Sequence, residues 1–259
     1  MQKVCIGVPA YGSQPPDWWQ PLVRTAYELR DAGIELVGPY DASSMMVDRN
    51  RNEIARKFLE TDAEWLYWMD ADNPLVLGAL PRLLDTQRHL VTGLYISRSG
   101  DPKTIAYNRL EDGTYESLRH WRRGEIIPID SAGLGCCLTH RSVYEEFDAK
   151  YVALQREAGG IVAVHIDDIQ GDVFDGVIDE NDGKVVDGVW RRRLRQPTSK
   201  TDVPFFALEY GRTEDMWFFE HTARLGFQLW LDTSVEVAHL TTHKRTVSEY
   251  FEWMRNARK

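Results

Sequence analysis

Little in the chain would take it out of a reducing, aqueous compartment. Cysteine is scarce, with only Cys5, Cys136 and Cys137 among 259 residues. Cys5 sits in an apolar run, and an adjacent pair suits neither a disulfide framework nor a zinc knuckle, so buried thiols are expected. No apolar stretch reaches the length needed to cross a bilayer, and the first residues run straight into a strand. The expected location is the cytoplasm. Positive charge is also in deficit: 31 Lys and Arg against 40 Asp and Glu give a net charge of -9. That balance supplies no global attraction to nucleic acid or to an anionic membrane. Two local basic clusters, at 121–123 and 191–195, remain as exceptions. There is no internal repeat and no low-complexity tract. Nor is there a glycine-rich loop bearing Lys or Arg after the first strand, where Pro9-Ala10-Tyr11-Gly12 stands instead.

Hydrophobic content of 43% and charged content of 27% are those of an ordinary globular chain. The simplest organisation is one domain over 1–259. Apolar runs at 4–8 and 34–37 read as strands, the second closed by Gly38-Pro39. Between them, Leu22, Ala26 and Leu29 recur at helical spacing, and Ile54, Ala55, Phe58 and Leu59 do so after Asp48. Short alternation of strand and helix is the mark of a parallel sheet with crossover helices. The fold class expected is therefore α/β, with a mostly parallel central sheet flanked by helices.

The stretch that organises the rest is Trp65-Leu66-Tyr67-Trp68-Met69-Asp70-Ala71-Asp72. A continuous apolar, aromatic run reads as a strand buried on both faces, and such a strand has no reason of its own to end in two acids. Ligands of open α/β sheets bind beyond the carboxyl ends of the strands. Two carboxylates there, with no nearby base in sequence, suit a hard divalent cation such as Mn²⁺ or Mg²⁺ shared with substrate phosphates. The plainer reading is a solvated Asp pair that opens a turn before Asn73-Pro74. Trp65, Tyr67 and Trp68 are core residues, because they alternate within that strand.

Further along, Leu80, Leu83 and Leu84 mark a helix and 89–96 a strand, and Asp112-Gly113 marks a hairpin turn. Gly133 and Gly135 imply close backbone approach, to a ligand or to a neighbouring strand. Tyr144 and Phe147 belong to a short helix. The region 148–204 changes character and reads as an insertion with hairpins on the acceptor side. Thr213 caps a helix with Glu214 and Asp215 in its first turn; strands at 227–231 and 235–240 and a terminal helix at 246–257 follow.

Four pieces in this order resemble GT-A-type glycosyltransferases, close to the family-2-like enzymes of phages and bacteria: "CIGVPAYG"; "RNEIARKFL" before "WLYWMDAD"; "DSAGLGCCLTHRSVYEEF"; and "TEDMWFFEHTARLGFQLWLDTSVEVAHL". The region 148–204 is not covered. The resemblance implies a Rossmann-like GT-A fold and transfer of a sugar from a nucleoside-diphosphate sugar, most often a UDP-sugar, to an acceptor hydroxyl. It implies that Asp70 and Asp72 hold the metal against the diphosphate, with His239 as a third ligand. Pro9, Ala10 and Tyr11 would line the nucleoside pocket; Arg51 and Asn52, with Ala71, would approach the nucleotide or the sugar. Gly133 and Gly135 would lie by the donor sugar or acceptor. Asp215, beside Glu214, would be the catalytic base of an inverting enzyme. The compartment would be a host cytoplasm if the chain is phage-encoded.

The chemistry agrees with that picture. A cation neutralises charge on a departing diphosphate, and a carboxylate takes the proton of a poorly nucleophilic hydroxyl. The helix dipole would keep Asp215 ionised. Each residue also has a plainer reading: Glu214 and Asp215 as capping acids, Arg51 and Asn52 as a solvated first turn, His239 as a core histidine with His243 a weaker competitor. Trp18 and Trp19 could stack on an acceptor, and the Arg191 run could meet a polyanion. Rival functions are a retaining enzyme of the same fold, a nucleotidyltransferase, and a non-catalytic sugar- or nucleic-acid-binding module. The acceptor stays open among glycan, protein, lipid-linked glycan and a modified DNA base.

Overall fold

The computed structural model describes residues 2–10, 19–42, 46–73, 75–98, 101–157, 184–186, 189–191, 204–208, 212–239 and 246–257. Its frame is a seven-stranded sheet. In chain order the relevant strands are β1 (Lys3–Pro9), β2 (Glu35–Ala42), β3 (Trp65–Met69), β4 (Leu90–Leu94), β5 (Ala106–Arg109), β6 (Tyr115–Ser117), β7 (Ile126–Ile129), β8 (Ser131–Ala132) and β9 (Cys136–His140). A β10–β11 ladder (Lys184–Val186, Val189–Arg191) and β12 (Leu229–Glu236) complete them. The sheet order is β2-β1-β3-β9-β4-β12-β7. Strands β1, β2, β3, β4 and β12 share one direction, and β9 and β7 oppose it. Strands β6, β5 and β8 form a small second sheet.

Alternation within β3 explains the layers. Trp65, Tyr67 and Met69 face one apolar cluster, joined by Leu22 and Leu29 of α1 (Trp19–Asp31) and by Leu80 and Leu83 of α3 (Ala79–Asp85). Leu66 and Trp68 face the other. There they meet Ile54 and Phe58 of α2 (Val47–Leu59), Val143 and Phe147 of α4 (Arg141–Glu157), and Trp217 and Phe218 of α5 (Glu214–Arg224). Val247 and Tyr250 of α6 (Val247–Ala257) close that side. Two-sided burial is why β3 reads as one unbroken apolar run. The Trp68 indole N–H is not wasted in this core, since it donates to the Tyr144 hydroxyl at 2.8 Å.

Several elements differ from the sequence reading. β2 does not stop at Gly38-Pro39 but runs to Ala42. It is an edge strand, where a proline without an N–H is tolerated, and Gly38 at φ +100° accompanies a register shift against β1 between Cys5 and Gly7. The expected pair of strands at 227–231 and 235–240 is one strand, β12, ending at Glu236. Its polar Asp232-Thr233-Ser234 reads as a break, yet Asp232 is buried, pairs with Arg82 at 2.8 Å and accepts the Ser234 N–H at 2.9 Å. A register shift between Asp232 and Glu236 absorbs the irregularity. The helix expected to be short around Tyr144 and Phe147 is the 17-residue α4, which passes residue 148; most of 158–203 lies outside the described residues. The turn at Asp112-Gly113 joins β5 to β6 as expected, with Gly113 at φ +82°. Thr246 and Glu249 form a reciprocal capping box on α6: the Thr246 N–H donates to Glu249 at 2.8 Å, and the Glu249 N–H to the Thr246 hydroxyl at 3.3 Å. Among the described residues, no helix is long and apolar enough to cross a membrane.

Candidate active site

Strand direction decides what meets at one edge. β1, β3, β4 and β12 all end there; α2, following β2, begins there, and so does α5, which runs back towards the start of β12. β9 runs the other way, so the segment before it, with Gly133 and Gly135, reaches the same edge. Seven separate stretches of sequence therefore deliver side chains to the carboxyl ends of the strands, where such sheets bind ligands.

At the centre lies Arg51, in the first turns of α2 and only 1% exposed. Its Nη2 donates to Asp70 Oδ1 at 2.8 Å and its Nε to Glu214 Oε1 at 3.2 Å, and Nη2 also lies 3.4 Å from Asp215 Oδ1. The guanidinium sits 5.5 Å from the centre of the Trp68 ring. Burial works against its charge, but the carboxylates of Asp70, Asp215 and Glu214 outweigh that and hold its pKa above the ordinary value. Arg51 and Asn52 are thus buried side chains and not part of a solvated first turn. Asn52 is spent on structure: its amide donates to the Phe206 carbonyl at 2.7 Å and its carbonyl accepts the Phe206 N–H at 3.1 Å.

Thr213 caps α5 as the sequence indicates, its hydroxyl accepting the Met216 N–H at 3.4 Å. Asp215 follows in the first turn of that helix. Burial pushes its pKa well up, with Glu214 and Asp70 adding and Arg51 opposing. Asp70 is shifted the same way by burial, against Arg51, with Asp72 and Glu214 adding. Burial and neighbouring like charge thus make Asp70 and Asp215 hold protons more tightly than they would in water. Asp215 Oδ1 has no hydrogen-bond partner among the described residues.

The turn after β3 is tight, with the Asn73 N–H donating to the Asp70 carbonyl at 3.0 Å. It carries Ala71, half-buried, and places Asp72 away from Arg51. Asp72 Oδ2 instead meets His239 Nε2 at 3.3 Å and the Arg98 guanidinium. Burial opposes ionisation of Asp72, but the hydrogen bond and charge of His239, and then Arg98, hold its pKa below the usual value. His239 follows the end of β12, and its Nδ1 lies 3.0 Å from the Ile96 carbonyl oxygen. A carbonyl only accepts, so Nδ1 carries a proton, and Nε2 is the ring nitrogen turned to Asp72. That is the arrangement of a metal-ligating histidine fixed by an outer hydrogen bond.

Asp72 and His239 thus offer one carboxylate and one imidazole of the kinds that a divalent cation takes. Among the described residues no group of three or more His, Cys, Asp or Glu side chains is placed to hold a metal ion. Small hard cations commonly take one or two carboxylates and complete their shell with water and phosphate oxygens. Charge points the same way: among the described residues, Asp70, Asp72, Glu214 and Asp215 face two guanidinium groups, those of Arg51 and Arg98. An anionic phosphate needs further positive charge to enter such a place.

Pro9 and Ala10 are buried at the end of β1, where the Ala10 N–H donates to Ala42 at 3.0 Å. Tyr11, Trp18, His243 and the basic run from Arg192 lie outside the described residues. The glycines approach the protein's own side chains. A Cβ on Gly135 would lie 2.2 Å from Asn73 Oδ1 and 3.1 Å from Asp70 Oδ2, and one on Gly133 would lie 2.0 Å from the Tyr95 hydroxyl. That hydroxyl accepts the Gly135 N–H at 3.1 Å. Sequence reading missed Asn73, Tyr95 and Arg98. Tyr95 and Arg98 follow the end of β4, so the rule that pointed to Asp70 could have found them too.

This is the α/β, Rossmann-like arrangement that the GT-A resemblance implies, with an acid-rich cluster at the carboxyl edge of its sheet. No family model matches the chain, and no curated protein matches it. Among solved structures it is similar to A197 from STIV, at 15% identity and a TM-score of 0.50, over 93% of this chain and 86% of that one. A glycosyltransferase involved in the glycosylation of the major capsid of PBCV-1 aligns with 66% of this chain and 76% of its own, at 13% identity and a TM-score of 0.31. A 4-diphosphocytidyl-2C-methyl-D-erythritol synthase from Anaerococcus prevotii aligns with 65% of this chain and 81% of its own, at 12% identity and a TM-score of 0.28. The likeness to A197 concerns the fold alone, and the two weaker alignments carry no argument.

Proposed function

We propose that the chain is a metal-dependent glycosyltransferase that moves a sugar from a nucleoside-diphosphate sugar, a UDP-sugar first among candidates, to an acceptor hydroxyl with inversion. One observation carries this reading: Asp70, Glu214 and Asp215 converge on a buried Arg51, with the Asp72–His239 pair beside them. Asp72 and His239, with Asp70, would hold Mn²⁺ or Mg²⁺; when bound, the cation neutralises charge on the departing diphosphate. Arg51 is a positioning residue, since its Nε and Nη2 are turned to the acids and its side chain is buried. It fixes Asp70 and Asp215 relative to one another. Asp215 is the group that takes the acceptor proton as the hydroxyl oxygen bonds to the sugar and the sugar–phosphate bond breaks. Its raised pKa makes it a stronger base than a solvated carboxylate, provided it is ionised at the working pH. Glu214, turned to Arg51 Nε, holds the start of α5 in place.

Calorimetric titration of UDP and of GDP, each with Mn²⁺ and with EDTA, tests the reading on wild type and Asp72→Ala. Metal-dependent binding of one nucleotide that is lost in the variant is expected. Failure of both nucleotides to bind wild-type protein would overturn the UDP and GDP assignments. With a binding donor in hand, the anomer released by slow hydrolysis, followed by NMR, separates inversion from retention.

A further inference from the structure

Arg98 was not singled out by the sequence, and it is the second of the two arginines facing the acids. The two differ in kind. Arg51 has a side-chain exposure of 2%, whereas that of Arg98 is 63%. Arg98 stands in the loop after β4, whose base is tied by the Ser97 N–H to the Lys103 carbonyl at 2.8 Å and the Lys103 N–H to the Ser97 hydroxyl at 3.2 Å. From there its guanidinium reaches Asp72 Oδ2, the same oxygen that faces His239 Nε2.

We infer that Arg98 is a diphosphate-binding residue that rests on Asp72 in place of the cation and transfers to the phosphate oxygens when donor and cation bind. The inference rests on the reading of the site given above and adds a residue to it. A cation seated between Asp72 and His239 competes with the guanidinium for Asp72 Oδ2 and repels it, so the two positive charges favour separation. Displacement is easy, because an ion pair exposed to this degree is worth little in water. Once released, Arg98 has its donors free for the phosphate oxygens of a diphosphate that the same cation would hold. A planar guanidinium donates to two phosphate oxygens at once, which a lysine does not. Arg51 is unsuited to this role, since three carboxylates already engage its buried head.

Opposite effects in two titrations test this. Mn²⁺ binding is measured by the loss of the free-ion EPR signal, on wild type, Arg98→Gln and Arg98→Lys, alone and then with UDP, GDP or inorganic pyrophosphate. Without nucleotide, Arg98→Gln should bind Mn²⁺ about threefold more tightly, because a competing charge is gone. With Mn²⁺ saturating, the same variant should bind the diphosphate roughly tenfold more weakly, and Arg98→Lys should recover only part of that loss. A residue with a merely structural role would weaken both, and simple removal of a nearby positive charge would tighten Mn²⁺ in both. If wild type binds Mn²⁺ and a diphosphate but Arg98→Gln matches it in each titration, the inference is overturned and the proposed function stands. If wild type binds Mn²⁺ with none of the three, both fall together.

Discussion

Replacing Arg51 by methionine removes the one cation shared by Asp70, Glu214 and Asp215 while keeping much of the side chain's apolar length. Breaking a buried ion pair by deleting one partner costs about 3–5 kcal/mol, because a charge is left behind without compensation. Here three acids are left, but their side-chain exposures differ: 8% for Glu214, 18% for Asp215 and 27% for Asp70. Protons can reach the latter two, so part of the strain can be relieved by protonation. In the folded protein both already lie above the ordinary carboxylate value of 3.8, and losing Arg51 moves them further up, since Arg51 was the force opposing the rise. A folded acid with a raised pKa binds more protons than the unfolded chain between the two values, so stability falls as pH rises through that window. The cost of Arg51→Met should therefore be about 3–5 kcal/mol at pH 8 and shrink to roughly 1–2 kcal/mol at pH 5. Arg51→Lys should fall between, because a single ammonium cannot serve three acids from one buried position. Urea unfolding at the two pH values, with unchanged slope, reads the difference directly. A cost below about 1 kcal/mol at both, or one that grows towards acid, would refute the assignment of Arg51 as counter-charge to these carboxylates.

Gly135→Ala should lower stability by about 1–3 kcal/mol through overpacking, since its Cβ would sit 2.2 Å from Asn73 Oδ1 and the Asn73 amide is tied to the Ala238 carbonyl at 3.2 Å; an unchanged melting temperature would contradict the close approach. In a donor-hydrolysis assay, the wild-type rate should fall on the acid side through a limb placed above the ordinary carboxylate range, because Asp215 must lose a proton whose binding burial has strengthened. Asp215→Asn should lose about 10²- to 10⁴-fold in rate and the limb with it, and persistence of the same limb in that variant would take the role away from Asp215.

The frame was legible because its signals are local. A buried strand must be apolar on both faces, and β3 is; the spacing of Ile54 and Phe58 is visible without any partner; Thr213 and two acids announce the start of α5. What failed to show needs knowledge of neighbours. Gly38-Pro39 ends a strand by composition, but at a sheet edge it only bends one. Asp232-Thr233-Ser234 looks like a turn until Arg82, far away in sequence, is found beside the buried Asp232. The interval between the glycines and β9 gave no hint that this strand runs against its neighbours and so carries Gly133 and Gly135 to the edge where Asp70 ends.

The acids of the site were visible one by one, but their charge balance was not. Asp70 and Asp72 look equivalent in sequence, and the structure separates them: one is held from inside by a buried arginine, the other from outside by an exposed arginine and a histidine. Arg51 cannot leave without stranding three carboxylates, whereas Arg98 can leave at little cost. The inner pair therefore fixes geometry, and the outer oxygen of Asp72 is the one free to exchange partners. An anionic ligand arriving at this edge meets more carboxylate than guanidinium, so it is held only if it brings positive charge with it. Asp72, 3.3 Å from Nε2 of His239, is where that charge would be received.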